Sequence, residues 1–278
     1  MWKLISIELF KIFSKPRTYI GFGAIIVIVL AIEFGILFEG DMMVGMIMQN
    51  IRERFIFEGN VINQYLVAYV ILNTLWIHVP MLVALVTGDL LAGEANSGTF
   101  RLILTRPVSR VQLVLAKFIA GWIYSVLLVV VMALLSIGLG LILFGPGDLV
   151  VITNKVNIFS SGDVLWRFAG AYAYGILSMT TVAALSFLLS ALADNSIGPI
   201  IGTIALIIGI TIISTIGVSL LGPVNRFLFT SYLPSWQLFF HTDDGLAKLG
   251  HAILIQGIYI IGFLGFTIWY FRKKDILS

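Results

Sequence analysis

Six uninterrupted apolar runs decide the solvent of this chain before any motif is considered: Thr18–Phe38, Tyr65–Thr87, Phe118–Phe144, Trp166–Leu189, Ile197–Leu221 and His251–Phe271. Each holds 21 to 27 residues, and about 20 apolar residues rising about 1.5 Å each cross a hydrocarbon layer of roughly 30 Å. The runs are continuous and rich in Ile, Leu and Val, whereas a membrane barrel needs alternating strands of about ten residues. Lipid offers no hydrogen-bond partner to the backbone, so helices remain. The predicted fold class is all-α, a polytopic membrane protein with six transmembrane helices. With 59% hydrophobic and 11% charged residues, the chain departs from soluble domains, which carry about 25% charge. The connecting segments leave no room for a separate soluble catalytic domain.

The charges that remain set an orientation. Lys3, Lys11, Lys15 and Arg17 precede the first run, Arg101, Arg106, Arg110 and Lys117 lie between the second and third, and Arg272, Lys273 and Lys274 follow the last. That side holds eleven of the seventeen Lys and Arg residues, so the positive-inside rule makes it cytoplasmic and puts both termini there. The basic pI of about 9.1 is then a topology signal, and no nucleic-acid partner is expected. No small-residue cleavage pattern follows the first run, which reads as an uncleaved span. Trp166, Trp269 and Tyr270 sit at span ends, where aromatic rings anchor to the headgroups. The absence of Cys removes disulfides and thiolate sites.

The expected organisation is one transmembrane domain over residues 1–278 with three notable segments outside the spans. Residues 1–16 form an amphipathic interface helix: Trp2, Ile5, Leu9, Ile12 and Phe13 recur at helical spacing, Lys3, Glu8, Lys11 and Lys15 fall mostly on other faces, and Pro16 breaks the helix. This helix serves as a lipid anchor or as a docking surface. The cytoplasmic loop 88–117 is longer than a tether requires and keeps Leu90, Leu91, Phe100, Leu102, Ile103 and Leu104. It reads as short helices broken by Gly98 and Pro107, with Ser109 or Thr105 as caps. The outer loop 222–250 is too apolar for free water, and Pro223 and Pro234 prevent a continuous span. It is expected to lie in the interface or to dip back as short helices, with or without a gating role.

Glu94, Gly98 and Thr99, followed by Arg106-Pro107-Val108-Ser109-Arg110 and by Lys117 entering the next span, resemble the glutamate, glycine-threonine and proline-x-serine-arginine signature of type-2 ABC exporter permeases. The stretch from Glu8 to Arg17 and the closing Phe271-Arg272-Lys273-Lys274-Asp275 resemble the same family, so the likeness covers the whole six-span plan. The resemblance implies a permease subunit of an ATP-driven exporter in the plasma or inner membrane. It would work as a dimer, with a second copy or a related permease, and couple to a separate cytoplasmic ABC ATPase. Its implied coupling residues are Glu94, Gly98, Thr99, Arg106, Pro107 and Arg110, with Glu8, Lys11 and Arg17 on the interface helix. The turn Ala193-Asp194-Asn195-Ser196 is a second place for that partner to touch. No G-x-x-x-x-G-K-[ST] loop occurs in the chain, so ATP hydrolysis is expected of the partner, with its ATP and Mg, and no enzymatic role or cofactor of this chain. A rigid lever from Glu94 to Leu104 would carry ATPase motion to the spans.

Within the bilayer, Tyr65, Tyr69, Asn73 and Trp76, spaced by four, four and three residues, give the second span a polar and aromatic stripe; Tyr69, Asn73 and Trp76, with His78 in mid-span, suit a substrate path or helix packing. No second His stands four residues from His78, and no metal site is expected. Glu33 is the only acid inside a span. Its depth, near the outer interface, favours snorkelling to the headgroups over a proton or cation site. The hydroxyls of spans four and five read as packing groups that back-bond to their own helices. The competing function classes are an ion- or proton-coupled carrier and a non-transporting assembly subunit. An intramembrane enzyme lacks its motifs.

Overall fold

The computed structural model describes residues 1–52, 61–98, 109–152, 156–216, 225–241 and 245–274. Helix α1, Trp2–Phe13, is followed after a two-residue break by α2, Pro16–Arg52, whose first residue is a proline. Proline suits a first helical position because its missing N–H would have no intrahelical partner there. Helix α3, Gln64–Thr87, starts at Asn63, whose side-chain oxygen accepts from the backbone N–H groups of Tyr65 and Leu66 at 3.0 and 3.2 Å. Pro80 lies inside α3 without ending it. The short α4, Ala92–Asn96, leads to Gly98, which takes φ of 66°, a left-handed turn that glycine makes without a Cβ clash.

Helix α5, Arg110–Phe144, is capped by Ser109, as its sequence suggests. Ser109 Oγ accepts from Gln112 N at 3.2 Å and Gln112 Oε1 accepts from Ser109 N at 3.3 Å. The reciprocal pair satisfies the backbone donors of Ser109 and Gln112. The membrane helix therefore begins eight residues before the apolar run, and Arg110 to Lys117 are its first two turns rather than loop. Thr105 lies outside the described residues.

On the face opposite the termini, β1, Leu149–Ile152, pairs antiparallel with β2, Val156–Phe159, with Leu149 opposite Phe159. The hairpin is absent from the sequence expectation, which treats this segment as loop. It is fastened to the bundle where Asn63 Nδ2 donates to the Asp148 carbonyl at 2.7 Å. Arg167 lies with its guanidinium carbon 4.3 Å from the centroid of the Phe159 ring. Helices α6, Ser161–Leu192, and α7, Ile197–Ile216, follow. Next come α8, Phe229–Tyr232, a 3-10 helix, Leu233–Phe240, and α9, Gly245–Lys273.

Among the described residues six helices are long and apolar enough to cross a membrane, and the protein is an all-α, multi-pass membrane protein. Helix α6 is central, packed against α3, α5, α7 and α9. Its buried hydroxyls hold neighbours together: Trp122 Nε1 donates to Thr180 Oγ1 at 3.0 Å, Ser136 and Tyr172 share a bond of 2.6 Å, and Gln256 of α9 bonds both Thr181 and Ser178. Such bonds contribute about 0.6 kcal/mol each between membrane helices. The segment of α8 and the 3-10 helix dips into the bundle, where Trp236 and Phe240 are fully buried. Phe168 lies 4.9 Å from Phe240, and Tyr69 and Trp76 pack within about 6 Å of Trp236.

Candidate functional site: a buried ionic face at the terminal end

Helix α1 does not present all of its charges to water. Its buried face is Ile5, Glu8 and Ile12, packed on the start of α5, while Trp2 and Phe10 are 74% and 75% exposed. Glu8 points inward because two ammonium groups await it. Lys11 Nζ lies 2.8 Å from Glu8 Oε1 and 2.8 Å from Glu94 Oε1, and Lys117 Nζ lies 2.7 Å from Glu8 Oε2 and 2.7 Å from Glu94 Oε1. The four groups close a ring of alternating charge that joins α1, α4 and α5. The Lys117 side chain is only 1% exposed.

Burial disfavours the Glu8 anion, but the Lys117 charge and the hydrogen bonds from Lys11 and Lys117 outweigh it and hold its pKa below the ordinary range. Burial likewise disfavours the Lys11 cation, and its bonds to Glu8 and Glu94 outweigh that and raise its pKa. Removing one partner of such a buried set strands a charge at a cost of about 3–5 kcal/mol. The ring thus fixes which elements meet more than it adds stability.

A second ionic group stands beside it. Asp89, buried just beyond the end of α3, accepts from Lys15 at 2.7 Å, from Arg17 and from Ser196 Oγ. It ties the α1–α2 elbow to the turn between α6 and α7. Gly93 must lack a side chain here, because a Cβ would meet the Asp89 carboxylate at 2.3 Å. The first donors around α4 go to another span: Ser190 Oγ of α6 accepts from Leu91 N at 3.0 Å and from Ala92 N at 2.9 Å. Lys274 Nζ reaches both the Ala191 carbonyl and Asp194 at 3.2 Å, closing the tail onto the same turn.

Of the coupling and interface residues expected from sequence, Glu8, Lys11 and Glu94 meet in the ring, Arg17 belongs to the Asp89 group, and Gly98 ends α4. Thr99, Arg106 and Pro107 lie outside the described residues. Arg110 is engaged within the chain: its Nη1 donates to the carbonyls of Phe271, Arg272 and Lys274 at 3.3, 3.2 and 2.7 Å. It caps the last turn of α9, where carbonyls lack helical partners. Asp89 and Ser190 are absent from the expected set, and Ser196 enters it only as part of the 193–196 turn. Asp89 carries a sequence signal, an acid at the end of a span facing a surplus of lysine and arginine; Ser190 carries none.

The membrane stripe splits. Asn73 Oδ1 accepts from Gln237 Nε2 at 3.0 Å, and Tyr69 and Trp76 pack on the inserted segment. His78 is exposed on a different side of α3, its Nδ1 2.9 Å from the Thr74 carbonyl of the same helix. Two residues at about 100° each carry it far from Trp76, so His78 does not join the others. Trp76, Ile77, Pro80 and Met81 instead line one wall of an apolar groove of about 450 Å³, with α7 and residues 230–234 opposite. Glu33 does not snorkel: it is 0% exposed, with no partner for either carboxylate oxygen.

A family model described as "Protein of unknown function (DUF2705)" matches residues 24–277. An "Uncharacterized protein YhcI" of Bacillus subtilis (strain 168) is 28% identical over 204 residues, which cover 70% of this chain. The match spans 63% of the length of that relative.

Proposed function

The chain belongs to this DUF2705 family of proteins of unknown function, and we propose that it is the membrane permease subunit of an ATP-driven ABC exporter, paired with a second permease and driven by a separate cytoplasmic ATPase. The observation that carries the reading is the ring of Glu8, Lys11, Glu94 and Lys117. It locks the interface helix and α4 to the first turns of a membrane helix. A force on α4 is then delivered to α5 through buried charges, and to α2, α6 and α7 through Asp89 and Ser190. The tip of α4, Asn96 to Gly98, is exposed and supports contact with the ATPase.

The apolar groove bounded by Trp76, Ile204, Ile208 and Leu233 supports an apolar or amphipathic cargo. The exposed Ile201, Ile208 and Ile212 of α7 supply a face for lipid or for the second permease. The plasma or inner membrane, with both termini cytoplasmic, is the location this reading requires. The reading of an ion- or proton-coupled carrier has one observation in its favour, the buried Glu33.

The test is affinity purification of the tagged full-length chain from native membranes. An ABC ATPase is expected to accompany it, and S97R, on the exposed tip of α4, is expected to reduce the retained ATPase about tenfold, or about 1.4 kcal/mol. If no ATPase accompanies the wild-type chain, or if S97R retains it fully, the proposal falls.

A further inference from the structure

The buried acids among the described residues are Glu8, Asp89 and Glu33, and the first two are paired with cations. Glu33 stands seventeen residues beyond Pro16 on α2, about 25 Å along the helix axis and within a hydrocarbon layer of roughly 30 Å. It belongs to a stripe of Ile25, Val29, Glu33, Ile36 and Gly40, all buried. The spacing of three and four residues turns this stripe toward the helices that pack on α2, namely α1, α3 and α5. Oε1 and Oε2 are both sealed from solvent without a hydrogen-bond partner.

The ionisable groups of the packed elements are all engaged or distant. On α3, Tyr65 stacks on Phe168, Tyr69 packs on Trp236 and Phe240, and His78 is exposed and bonded to its own helix. On α5, Arg110 caps α9, Lys117 sits in the ring, and the Tyr124 phenol stands over Gly21, twelve residues nearer the terminal face than Glu33. On α1, Lys3 is exposed, and Glu8 and Lys11 are in the ring. No cation among the described residues neutralises Glu33. An ionised carboxylate without water, donor or counter-charge takes a proton instead.

We propose that Glu33 is an intramembrane proton-binding site. In this packing its carboxyl is the neutral acid, so the bundle holds one proton per chain that it releases in any state where α2 exposes the group to water. Low pH favours the packed arrangement and rising pH opposes it. The site stands apart from the ATPase reading, since it rests only on α2 and its neighbours and its test reads only the carboxyl group.

The test is labelling of the purified full-length chain in lipid nanodiscs with N,N′-dicyclohexylcarbodiimide, an apolar reagent for protonated carboxyls. The carboxyl oxygen bonds to the carbodiimide carbon, the acid proton moves to nitrogen, and an oxygen-to-nitrogen acyl shift leaves a stable N-acylurea, with no other reactant. Peptide mass spectrometry at pH 7 is expected to find the adduct on Glu33 and none at that position in E33Q. A water-soluble carbodiimide with an added amine should modify Glu33 at least tenfold more slowly. E33Q, which keeps the shape of the neutral acid, should match or exceed the wild-type thermal midpoint at pH 7. Absence of the adduct, equal reaction with the water-soluble reagent, or a clear fall in the E33Q midpoint would each overturn the proposal.

Discussion

At the scale of single residues, the buried ring makes a signed prediction about pH. Glu8 has its pKa lowered from the ordinary 4.5, so it binds protons more weakly folded than unfolded. Its contribution to stability is present above pH 4.5 and is lost as pH falls below that value. Lys11 has its pKa raised from 10.5, so its contribution is present below pH 10.5 and is lost only above it. Across the window between these values both of these contributions are present. On acidification below about pH 4.5 the wild-type thermal midpoint should drop, and E8Q, with no proton to take up, should drop less; parallel curves for the two in detergent would count against the ring. Glu8, Lys11 and Glu94 are legible in the sequence through their family-like positions, because each is a charge in an otherwise apolar or short segment. Their mutual contact is not, since eighty-three residues separate Lys11 from Glu94. His78 stands apart from Tyr69, Asn73 and Trp76 for a reason the sequence does contain, the angle of two helical steps.

Among the elements, α4 has only five residues, too short to be stable alone. What holds it is outside it: Ser190 on its first donors, the ring on Glu94, and the Gly98 turn at its end. Ser190→Ala leaves two buried N–H groups without their acceptor, a loss of about 1–3 kcal/mol. Amide hydrogen exchange of residues 91–96 should quicken by about ten- to a hundredfold on that scale, while the interior of α6 keeps its protection. Unchanged exchange would mean that other acceptors serve α4. The inserted segment, residues 229–240, illustrates the same dependence. Its apolar sequence and prolines exclude a full span, and the fold buries Trp236 and Phe240 among rings from α3 and α6. The β1–β2 hairpin had no such warning, because four-residue strands leave too little alternation to distinguish from loop.

For the whole molecule, the absence of cysteine permits a direct test of topology with single introduced thiols. Ser97, beyond α4, and Ser161, at the start of α6, are both exposed and lie at opposite ends of the bundle. S97C should react with a membrane-impermeant maleimide only in inside-out vesicles, and S161C only in right-side-out vesicles. Labelling of both from one side would exclude the six-span plan, and reversed labelling would invert the orientation read from the charges. The sequence by itself determined the solvent, the helical class, the number of spans and the segments that leave the membrane. These are properties of runs of twenty residues, in which transfer free energy sums along the chain regardless of neighbours. Only the tertiary structure decided that Glu8 turns inward, that Arg110 bonds the end of α9, that Ser190 holds α4 while Asp89 ties the α1–α2 elbow to the turn after α6, and that Glu33 is sealed rather than snorkelling. A single polar side chain has two stable fates, solvation or pairing, and the choice depends on what distant segments bring within about 3 Å of it.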